Sequence, residues 1–340
     1  MGKRKIIMAV IFSVLFFVGC TSRQRQTTYV TETAEYFGTV ITITLYGEDE
    51  ESLKKSIEHA FDECERLEFI CSAKLPDSEL CRLNQTAAES AVEVSKELFF
   101  LIKEGLYYHR LSGGSLDISI GKLIDLWGIG TEHARVPKDT EREALIGLDG
   151  CKNIILDEEE QTIQYTDKLV QIDLGGIAKG YAADKVKEYL IEQEHIGSGI
   201  LNFGGNVMAI GEKTDGTAWK IGLTDPQEKG ELYGVLMIKD QCVVTSGDYE
   251  RYFTEDGKRY HHILDPATGY PAESGIISAT VIGDRAILCD ALSTTCFIVG
   301  IEKAIEIIET LDGVECILVD KDMQYHCSSG FSQYDFTRTN

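Results

Sequence analysis

The sequence predicts an α+β fold. Segments that alternate apolar and polar residues, as strands do, are interspersed with segments of helical periodicity, and they lack the strict βαβ order of a doubly wound parallel sheet. No low-complexity tract, internal repeat or clear linker follows Thr33. About 320 residues remain after the first twenty, which is enough for one large domain or two small ones.

These patterns predict the elements in order along the chain. Residues 39–46 are rich in β-branched side chains and alternate from Ile41 onward, which indicates a strand. In 50–70, one helical face carries Leu53, Ile57, Ala60, Phe61, Cys64 and Leu67. The same criteria predict further helices at 94–111, 178–194, 291–299 and 302–311, and further strands at 153–156, 162–165, 169–174, 200–203, 219–223, 232–238, 243–246, 276–282 and 316–319.

Residues 1–19 have the pattern of a lipoprotein signal peptide. Three basic residues at 3–5 precede an apolar run over 6–18, which is too short to span a bilayer comfortably. A glycine and then Cys20 end the run, which predicts cleavage before Cys20 and its diacylation. The polar residues that follow lack periodicity, so residues 20–33 are predicted to be the lipidated cysteine and a tether. An uncleaved membrane anchor with a chance cysteine is the alternative.

The charge of the chain excludes one class of partner. The full chain has a formal net charge of −23, and the part after residue 20 retains 30 basic against 56 acidic residues, a net charge of −26. Such a surface repels nucleic acid and disfavours adhesion to anionic lipid. We therefore expect membrane attachment through the lipid on Cys20 alone, on the extracytoplasmic face.

The cysteines do not indicate a metal site or a complete set of disulfides. The chain has ten, and nine remain without Cys20, so they cannot all pair within one chain. No C-x-x-C motif occurs, which argues against a tetrahedral zinc site. We expect most of the nine to be small buried apolar side chains.

Two glycine-rich segments suggest ligand contacts. Asp117 lies in an otherwise apolar run after Gly113-Gly114, and a buried acid must be paired or bind something. A turn aspartate that bonds its own backbone is the alternative. In 170–184, a predicted strand leads through Gly175-Gly176 into a helix, whose N–H groups and positive dipole end suit a phosphate. This segment is neither a Walker A motif nor a G-x-G-x-x-G fingerprint.

Two further segments carry candidate reactive groups. His262 precedes an apolar pair and an Asp-Pro-x-Thr-Gly turn, which can hold it rigidly at a site, although a lone histidine is more often structural. Asp290 and Thr294 are spaced i, i+4 and would share one helix face. A carboxylate and a hydroxyl are hard oxygen ligands suited to Mg²⁺ or Ca²⁺. A helix N-cap at Asp290 is the alternative.

Together these segments resemble the ApbE family of FAD:protein FMN transferases. The resemblance covers nearly all of the chain after the tether, and eight segments match in the same order: 37–39, 76–84, 115–121 with 126–128, 172–184, 202–206, 245–249, 262–269 and 290–294. It implies a single large mixed-sheet domain at 34–340. It also implies FAD as the FMN donor and Mg²⁺ as the metal.

The resemblance also implies roles for individual residues. Asp290 and Thr294 fall on the family's metal positions, and a backbone carbonyl at Gly176, or alternatively Ala178, completes the protein ligands. The implied FAD contacts are Phe37, Ser115, Leu116, Asp117, Asp173, Lys179 and Leu264. The chain departs from the family pattern at Lys74, where a tyrosine is frequent, which puts a stacking contact in doubt.

The implied reaction is transfer of FMN from FAD to a threonine hydroxyl of an acceptor protein, with release of AMP. We expect Asp290 and His262 to be the catalytic residues, with His262 as the base because an unperturbed histidine titrates near neutral pH. The expected acceptor is a membrane or extracytoplasmic redox subunit. The alternatives are hydrolysis of FAD to FMN and AMP, and a lipoprotein that only binds flavin.

Overall fold

The computed structural model describes residues 27–147, 149–228 and 230–339. The signal peptide and Cys20 predicted above lie outside these residues. The strands are β1 Thr28–Tyr36, β2 Thr39–Gly47, β3 Val92–Glu93, β4 Ile154–Asp157, β5 Thr162–Tyr165, β6 Gly199–Phe203, β7 Asn206–Ile210, β8 Trp219–Thr224, β9 Leu232–Ile238, β10 Cys242–Gly247, β11 Tyr252–Glu255, β12 Lys258–His261, β13 Ile276–Gly283, β14 Glu315–Asp320, β15 Tyr325–Cys327 and β16 Thr337–Arg338.

Eight helices accompany the strands in the described part of the chain. They are α1 Glu50–Cys71, α2 Glu79–Thr86, α3 Lys96–Leu111, α4 Gly121–Trp127, α5 Asp139–Glu143, α6 Ala178–Glu192, α7 Ala286–Val299 and α8 Ile301–Ile308. The predicted α+β class is confirmed. Within these same residues, the structure contains no helix that is both long and apolar enough to cross a membrane.

One large sheet organises the fold. Its eight strands run in the order β1-β2-β6-β7-β10-β13-β14-β15, and neighbouring strands pair antiparallel throughout. The sheet is therefore purely antiparallel, whereas the resemblance had implied a mixed sheet. Short hairpins account for the pairs β1–β2, β6–β7 and β14–β15, because hairpins join antiparallel strands. The other pairs are antiparallel across long connections.

The large sheet buries apolar side chains on both faces. Helices α1, α6 and α7 pack against one face, and the main core lies between these two layers. A three-stranded sheet, β16-β9-β8, supplies Trp219 and Leu236 to a second core that also contains Val243 and Ile282 from the large sheet. A third, smaller cluster surrounds Trp127 beside the β11–β12 hairpin. The first and third clusters frame the candidate site.

The described part of the chain forms seven strands that the sequence did not predict: β1, β3, β7, β11, β12, β15 and β16. The longest of the seven is β1. Strand β1 contains residues 28–33, which the sequence assigns to the tether, so the ordered sheet begins earlier than predicted. Within β1 only Val30 is buried, and Thr and Glu occupy most other positions. An edge strand of this kind lacks the apolar alternation by which strands are predicted.

One predicted strand is not formed. Residues 169–174 make a single isolated bridge, between Gln171 and Ile120. The side chain of Asn84 instead satisfies the backbone of Ile172: its Oδ1 accepts from the N–H at 2.8 Å and its Nδ2 donates to the carbonyl at 2.8 Å. A side-chain amide can replace a neighbouring strand in this way, because it offers one donor and one acceptor.

Several helix boundaries differ from the predictions, and a side-chain cap accounts for the start of α3. Ser95 caps α3 by accepting from the N–H of Leu98, so the helix starts at residue 96 rather than 94. Helix α7 starts five residues before the predicted position, α6 ends at Glu192, and α8 spans Ile301–Ile308 rather than 302–311. The nine described cysteines are all free, and seven are buried, which confirms their predicted role as small apolar side chains.

Candidate functional site

All the residues predicted to contact FAD or metal line one cavity of about 460 Å³. This volume is within the usual range of small-molecule sites. The cavity lies between α1, the amino end of α6, α7 and the segment that follows β12. The predicted residues on its wall are Phe37, Ser115, Leu116, Asp117, Asp173, Gly176, Ala178, Lys179, His262, Leu264, Asp290 and Thr294.

The amino end of α6 opens onto the cavity. The helix begins at Ala178, directly after the Gly175-Gly176 turn, and the residue at its N-cap position, Ile177, is apolar and cannot cap it. The N–H of Gly180, in the first turn, instead donates to Oδ2 of Asp290 at 2.9 Å. A carboxylate from a neighbouring helix thus supplies the missing cap and complements the positive helix end.

Asp290 is buried and receives several hydrogen bonds. Its Oδ1 accepts from Asn206 Nδ2 at 2.9 Å and from Lys179 Nζ at 3.2 Å, and its side chain is almost fully enclosed. A buried charge is tolerated when it is paired in this way. The sequence singled out Asn206 only as the end of a matching segment, since its contact with Asp290 depends on the packing of β7 against α7.

Thr294 lies one turn after Asp290 on α7 and faces the same cavity. Ser246 Oγ lies 3.4 Å from Thr294 Oγ1 and 2.9 Å from Ser293 Oγ. A Cβ atom at Gly176 would lie 3.9 Å from Thr294 Oγ1, so the glycine turn approaches the hydroxyl closely. Asp290, Thr294 and the Gly176 turn line the same cavity, and carboxylate, hydroxyl and carbonyl oxygens are the donors that suit Mg²⁺. Gly176 and Ala178 both line the cavity, so both predicted carbonyl ligands remain candidates.

Asp117 and Asp173 combine turn and cavity roles. Asp117 Oδ1 accepts from the Ser119 N–H at 2.7 Å and from the Ser119 hydroxyl at 2.5 Å, which is the turn pattern considered as the alternative. Asp173 Oδ1 accepts from the Gly175 N–H at 2.8 Å. Both residues also line the cavity. The turn bonds therefore fix the orientation of two acids on the cavity wall.

A second group of possible metal ligands lies behind Asp117. Donor atoms of His109, Asp117 and Cys151 are all within 4.8 Å of one another. The Cys151 thiol donates to Asp117 Oδ1 at 3.1 Å, and burial raises the thiol pKa far above its usual value. The group is therefore satisfied by internal hydrogen bonds, and a neutral thiol is a poor metal ligand.

His262 is held beside Arg251. Its Nδ1 lies 3.3 Å from the Arg251 carbonyl, which can only accept, so Nδ1 carries the proton and Nε2 is the free acceptor. Burial, followed by the positive charges of Arg251 and Lys179, lowers the pKa of His262 to about 3. The expectation that it titrates near neutral pH is therefore wrong for this site, because burial disfavours the charged form.

Glu250 is a cavity residue that the sequence did not single out. Glu250 as a whole is exposed, but desolvation of its carboxyl at the cavity wall raises its pKa to about 7, although Lys179 and Arg251 oppose the shift. Asp290 adds a smaller contribution in the same direction as burial. In the sequence, Glu250 is simply an acidic residue between Tyr249 and Arg251. Its raised pKa depends on desolvation and on charges such as Lys179 and Asp290, which are distant in the chain.

Lys74 lies on the cavity wall, where it forms an ion pair with Asp125 on α4. Asp125 also accepts from Gln171 Nε2 at 2.7 Å. The ammonium group is thus engaged with α4. The family frequently has a tyrosine at this position. Here Lys74 forms a charged contact between two walls of the cavity in place of an aromatic ring.

The ApbE family profile matches residues 37–318, which is most of the chain. The chain belongs to the ApbE family. An ApbE-family relative from Treponema pallidum, named FAD:protein FMN transferase, is 32% identical over 339 residues that cover 95% of this chain and 93% of the relative. A relative of the same name from Klebsiella pneumoniae is 35% identical over 297 residues, with 87% and 90% covered.

Solved ApbE structures have the same fold. The Thermotoga maritima ApbE protein superposes with a TM-score of 0.84 at 32% identity, covering 90% of this chain and 99% of that chain. The flavin transferase ApbE from Vibrio cholerae has a TM-score of 0.80 at 27% identity, with 91% and 100% covered. The ApbE-type fold is thereby confirmed.

Proposed function

We propose that this protein transfers the FMN part of FAD to a threonine hydroxyl of an acceptor protein and releases AMP. The observation that carries the proposal is the meeting of two oxygen donors, Asp290 and Thr294, with the amino end of α6 in one cavity. Such an arrangement suits a metal-assisted reaction at a diphosphate. The names of the relatives, FAD:protein FMN transferase, support the same reaction.

Asp290, Thr294 and the carbonyl of Gly176 or Ala178 would hold a Mg²⁺ ion. These donors fit the metal because all are hard oxygens, and the glycine turn approaches the Thr294 hydroxyl. When bound, the ion would neutralise negative charge on the diphosphate and on the leaving AMP.

The diphosphate of FAD would lie at the amino end of α6. The positive end of the helix dipole favours a negative group there, although the N–H groups of Ala178 and Gly180 are already bonded to the Leu174 carbonyl and to Asp290. Lys179, in the first turn, adds a positive charge on the cavity wall. The same groups would stabilise the charge that develops as the bond to AMP breaks.

His262 is the proposed base. The hydroxyl oxygen of the acceptor threonine attacks the FMN-side phosphorus, the phosphorus–oxygen bond to AMP breaks, and Nε2 accepts the hydroxyl proton. The low pKa keeps the imidazole neutral, so Nε2 is free to accept the proton, but it also makes the imidazole a weaker base than an unperturbed histidine. Asp290 is less suited to this step, because a carboxylate that holds the metal and accepts from Lys179 is a poor base.

The charge state of Glu250 should control FAD binding near neutral pH. Above about pH 7 its carboxylate is ionised and repels the diphosphate, and below that pH it is neutral. With metal chelated, we expect FAD to bind about three- to tenfold more tightly at pH 6 than at pH 8. In a fluorescence titration with FAD, the affinity of Glu250→Gln should not change between pH 6 and pH 8. Glu255→Gln, on the exposed hairpin, is the control and should keep the wild-type change. A wild-type change of affinity in Glu250→Gln would contradict the assignment.

Two other functions make different predictions. Hydrolysis of FAD would use water in place of the threonine and would proceed without an acceptor. A flavin-binding lipoprotein would not require a metal at the diphosphate, so the donor set of Asp290 and Thr294 disfavours it. Transfer is favoured over hydrolysis by the names of the relatives.

Membrane attachment through diacylated Cys20, on the extracytoplasmic face, belongs to the same proposal. The support is the sequence pattern of residues 1–20 and the strongly acidic remainder of the chain. An acceptor at that surface would be a membrane or extracytoplasmic redox subunit. Radiolabelled palmitate should enter the wild-type protein and not Cys20→Ala, and equal labelling would contradict lipidation at Cys20.

The transfer reaction is tested by mass. The full chain in detergent is incubated with FAD, Mg²⁺ and a model acceptor that carries a family-type threonine motif, with and without EDTA. We expect the acceptor to gain the mass of one FMN only when metal is present. Release of free FMN and AMP with no gain in acceptor mass would favour hydrolysis, and FAD bound without turnover would favour the binding protein.

A further inference from the structure

Helices α6 and α7 cap each other. Asp184 on α6 accepts from the first two N–H groups of α7: that of Ala286 at 2.7 Å and that of Ile287 at 3.0 Å. Asp290 on α7 accepts from the N–H of Gly180 in the first turn of α6 at 2.9 Å. Each helix therefore receives its N-terminal carboxylate from the other.

Neither helix can be capped from its own N-cap position. Ile177 precedes α6 and is apolar, and Arg285 precedes α7 and carries only donors. An isolated helix would leave these N–H groups without a side-chain acceptor. The reciprocal carboxylates therefore supply acceptors that the local sequence does not provide.

The two caps flank the closest approach of the helices. Asp184 follows Gly180 by four residues, and Asp290 follows Ala286 by four residues, so each pair occupies one helix face. A Cβ atom at Gly180 would lie 2.3 Å from the Ala286 carbonyl oxygen. Backbone contact at this crossing leaves little freedom for one helix to slide along the other.

This arrangement links Asp184 to the cavity without placing it there. Asp184 is absent from the cavity wall among the described residues, whereas the helix that it caps carries Asp290 and Thr294. Its own helix carries Lys179, next to the glycine turn. The position of the proposed metal donors relative to Gly176 therefore depends on the contact that Asp184 makes.

We propose that Asp184 is a positioning residue, which fixes the amino end of α7 so that Asp290 and Thr294 face the Gly176 carbonyl at the distance a divalent cation requires. The proposed function supplies only one premise of this inference, the identity of the ion. Its physical basis is that a hard cation tolerates little displacement of its oxygen donors. Residues outside the ligand set that orient ligands commonly affect affinity strongly.

The test measures Mn²⁺ affinity of the full chain in detergent by the loss of the free-ion electron paramagnetic resonance signal. We expect Asp184→Ala to weaken Mn²⁺ binding by about ten- to a hundredfold. Asp184→Asn keeps the length but offers one acceptor oxygen where the two N–H groups of α7 use two, so it should weaken Mn²⁺ binding less than Asp184→Ala does. Asp184→Glu keeps the charge but is one methylene longer, so it should fold and still bind Mn²⁺ less tightly.

The matched control is Asp49→Ala. Asp49 caps α1 by accepting from the Ser52 N–H at 2.8 Å, at the start of a 22-residue helix whose far end reaches the cavity. Its loss should cost about 1 kcal/mol of stability and leave Mn²⁺ affinity unchanged. Equal losses of affinity in the Asp49 and Asp184 variants, or wild-type affinity in both Asp184→Ala and Asp184→Glu, would overturn the proposal.

The measurement is independent of the transfer assay, because it uses neither FAD nor an acceptor. A wild-type chain that binds Mn²⁺ but transfers no FMN would refute the proposed function and leave the role of Asp184 intact. With FAD and acceptor added, a positioning role also predicts that raising the metal concentration restores most of the kcat of Asp184→Ala. A kcat that stays low at saturating metal would contradict it.

Discussion

Asp290→Ala is expected to lower the rate of FMN transfer by at least about 10³-fold. The substitution removes the proposed metal carboxylate and the acceptor for Lys179, Asn206 and Gly180. Two buried donors and the half-buried Lys179 ammonium would lose their partner, so the free energy of unfolding should also fall by about 1–3 kcal/mol. The rate is measured from the mass of the acceptor, and stability from denaturant unfolding.

Two further variants separate chemistry from stability. Asp290→Asn keeps the volume and one of the two acceptor oxygens, so it should lose less stability than Asp290→Ala. It should still be nearly inactive, because an amide is a poor ligand for Mg²⁺ in place of a carboxylate. Asp225→Ala removes another buried carboxylate, which accepts from the Gln227 and Glu228 N–H groups at 2.8 and 3.0 Å away from the cavity wall. It should lose stability and keep its transfer rate. Wild-type activity in Asp290→Asn would exclude Asp290 as a required metal ligand.

Gly180→Ala should have the second largest effect, on both stability and transfer. A Cβ atom there would lie 2.3 Å from the Ala286 oxygen and 2.8 Å from the Asp290 Cβ atom. The Ala286 oxygen belongs to the backbone of α7, so it cannot move away without displacing the helix. Overpacking of this kind should reduce the free energy of unfolding by about 3 kcal/mol. Since α7 must move away from α6, we also expect at least about tenfold loss of transfer at a temperature where the variant is folded.

The control for this prediction is Gly197→Ala. A Cβ atom at Gly197 would meet no described atom within 4 Å, and its backbone is not in the left-handed region. Its stability should stay within about 0.5 kcal/mol of wild type. If Gly180→Ala behaved like Gly197→Ala in unfolding and in transfer, the close helix crossing would not be needed for the site.

The elements that the sequence predicted well are those whose own residues determine them. Helix α1 has its apolar face and its Asp49 cap within one segment, and the i, i+4 spacing of Asp290 and Thr294 already predicts that they share a helix face. The start of α7 could not be predicted, because Asp184 caps it from about a hundred residues away in the sequence. Strand β1 was missed because its polar composition gives no apolar alternation.

The candidate site shows the same division. Glycine turns and candidate ligands were visible in the sequence, since they are local patterns, and the structure brings them to one cavity. The low pKa of His262, the raised pKa of Glu250 and the bond from Asn206 to Asp290 depend on burial and on charges that only the fold brings together. Such effects are tertiary, and a single sequence does not encode them in any local pattern.

The most direct test of the account is a crystal structure of the protein with FAD and Mn²⁺, in which anomalous scattering locates the ion. We predict one peak in the cavity, with an Asp290 carboxylate oxygen and Thr294 Oγ1 within about 2.0–2.3 Å of it and the FAD diphosphate at the amino end of α6. A peak at His109, Asp117 and Cys151 instead, or FAD bound in the cavity with its diphosphate away from Asp290 and Thr294, would contradict the account.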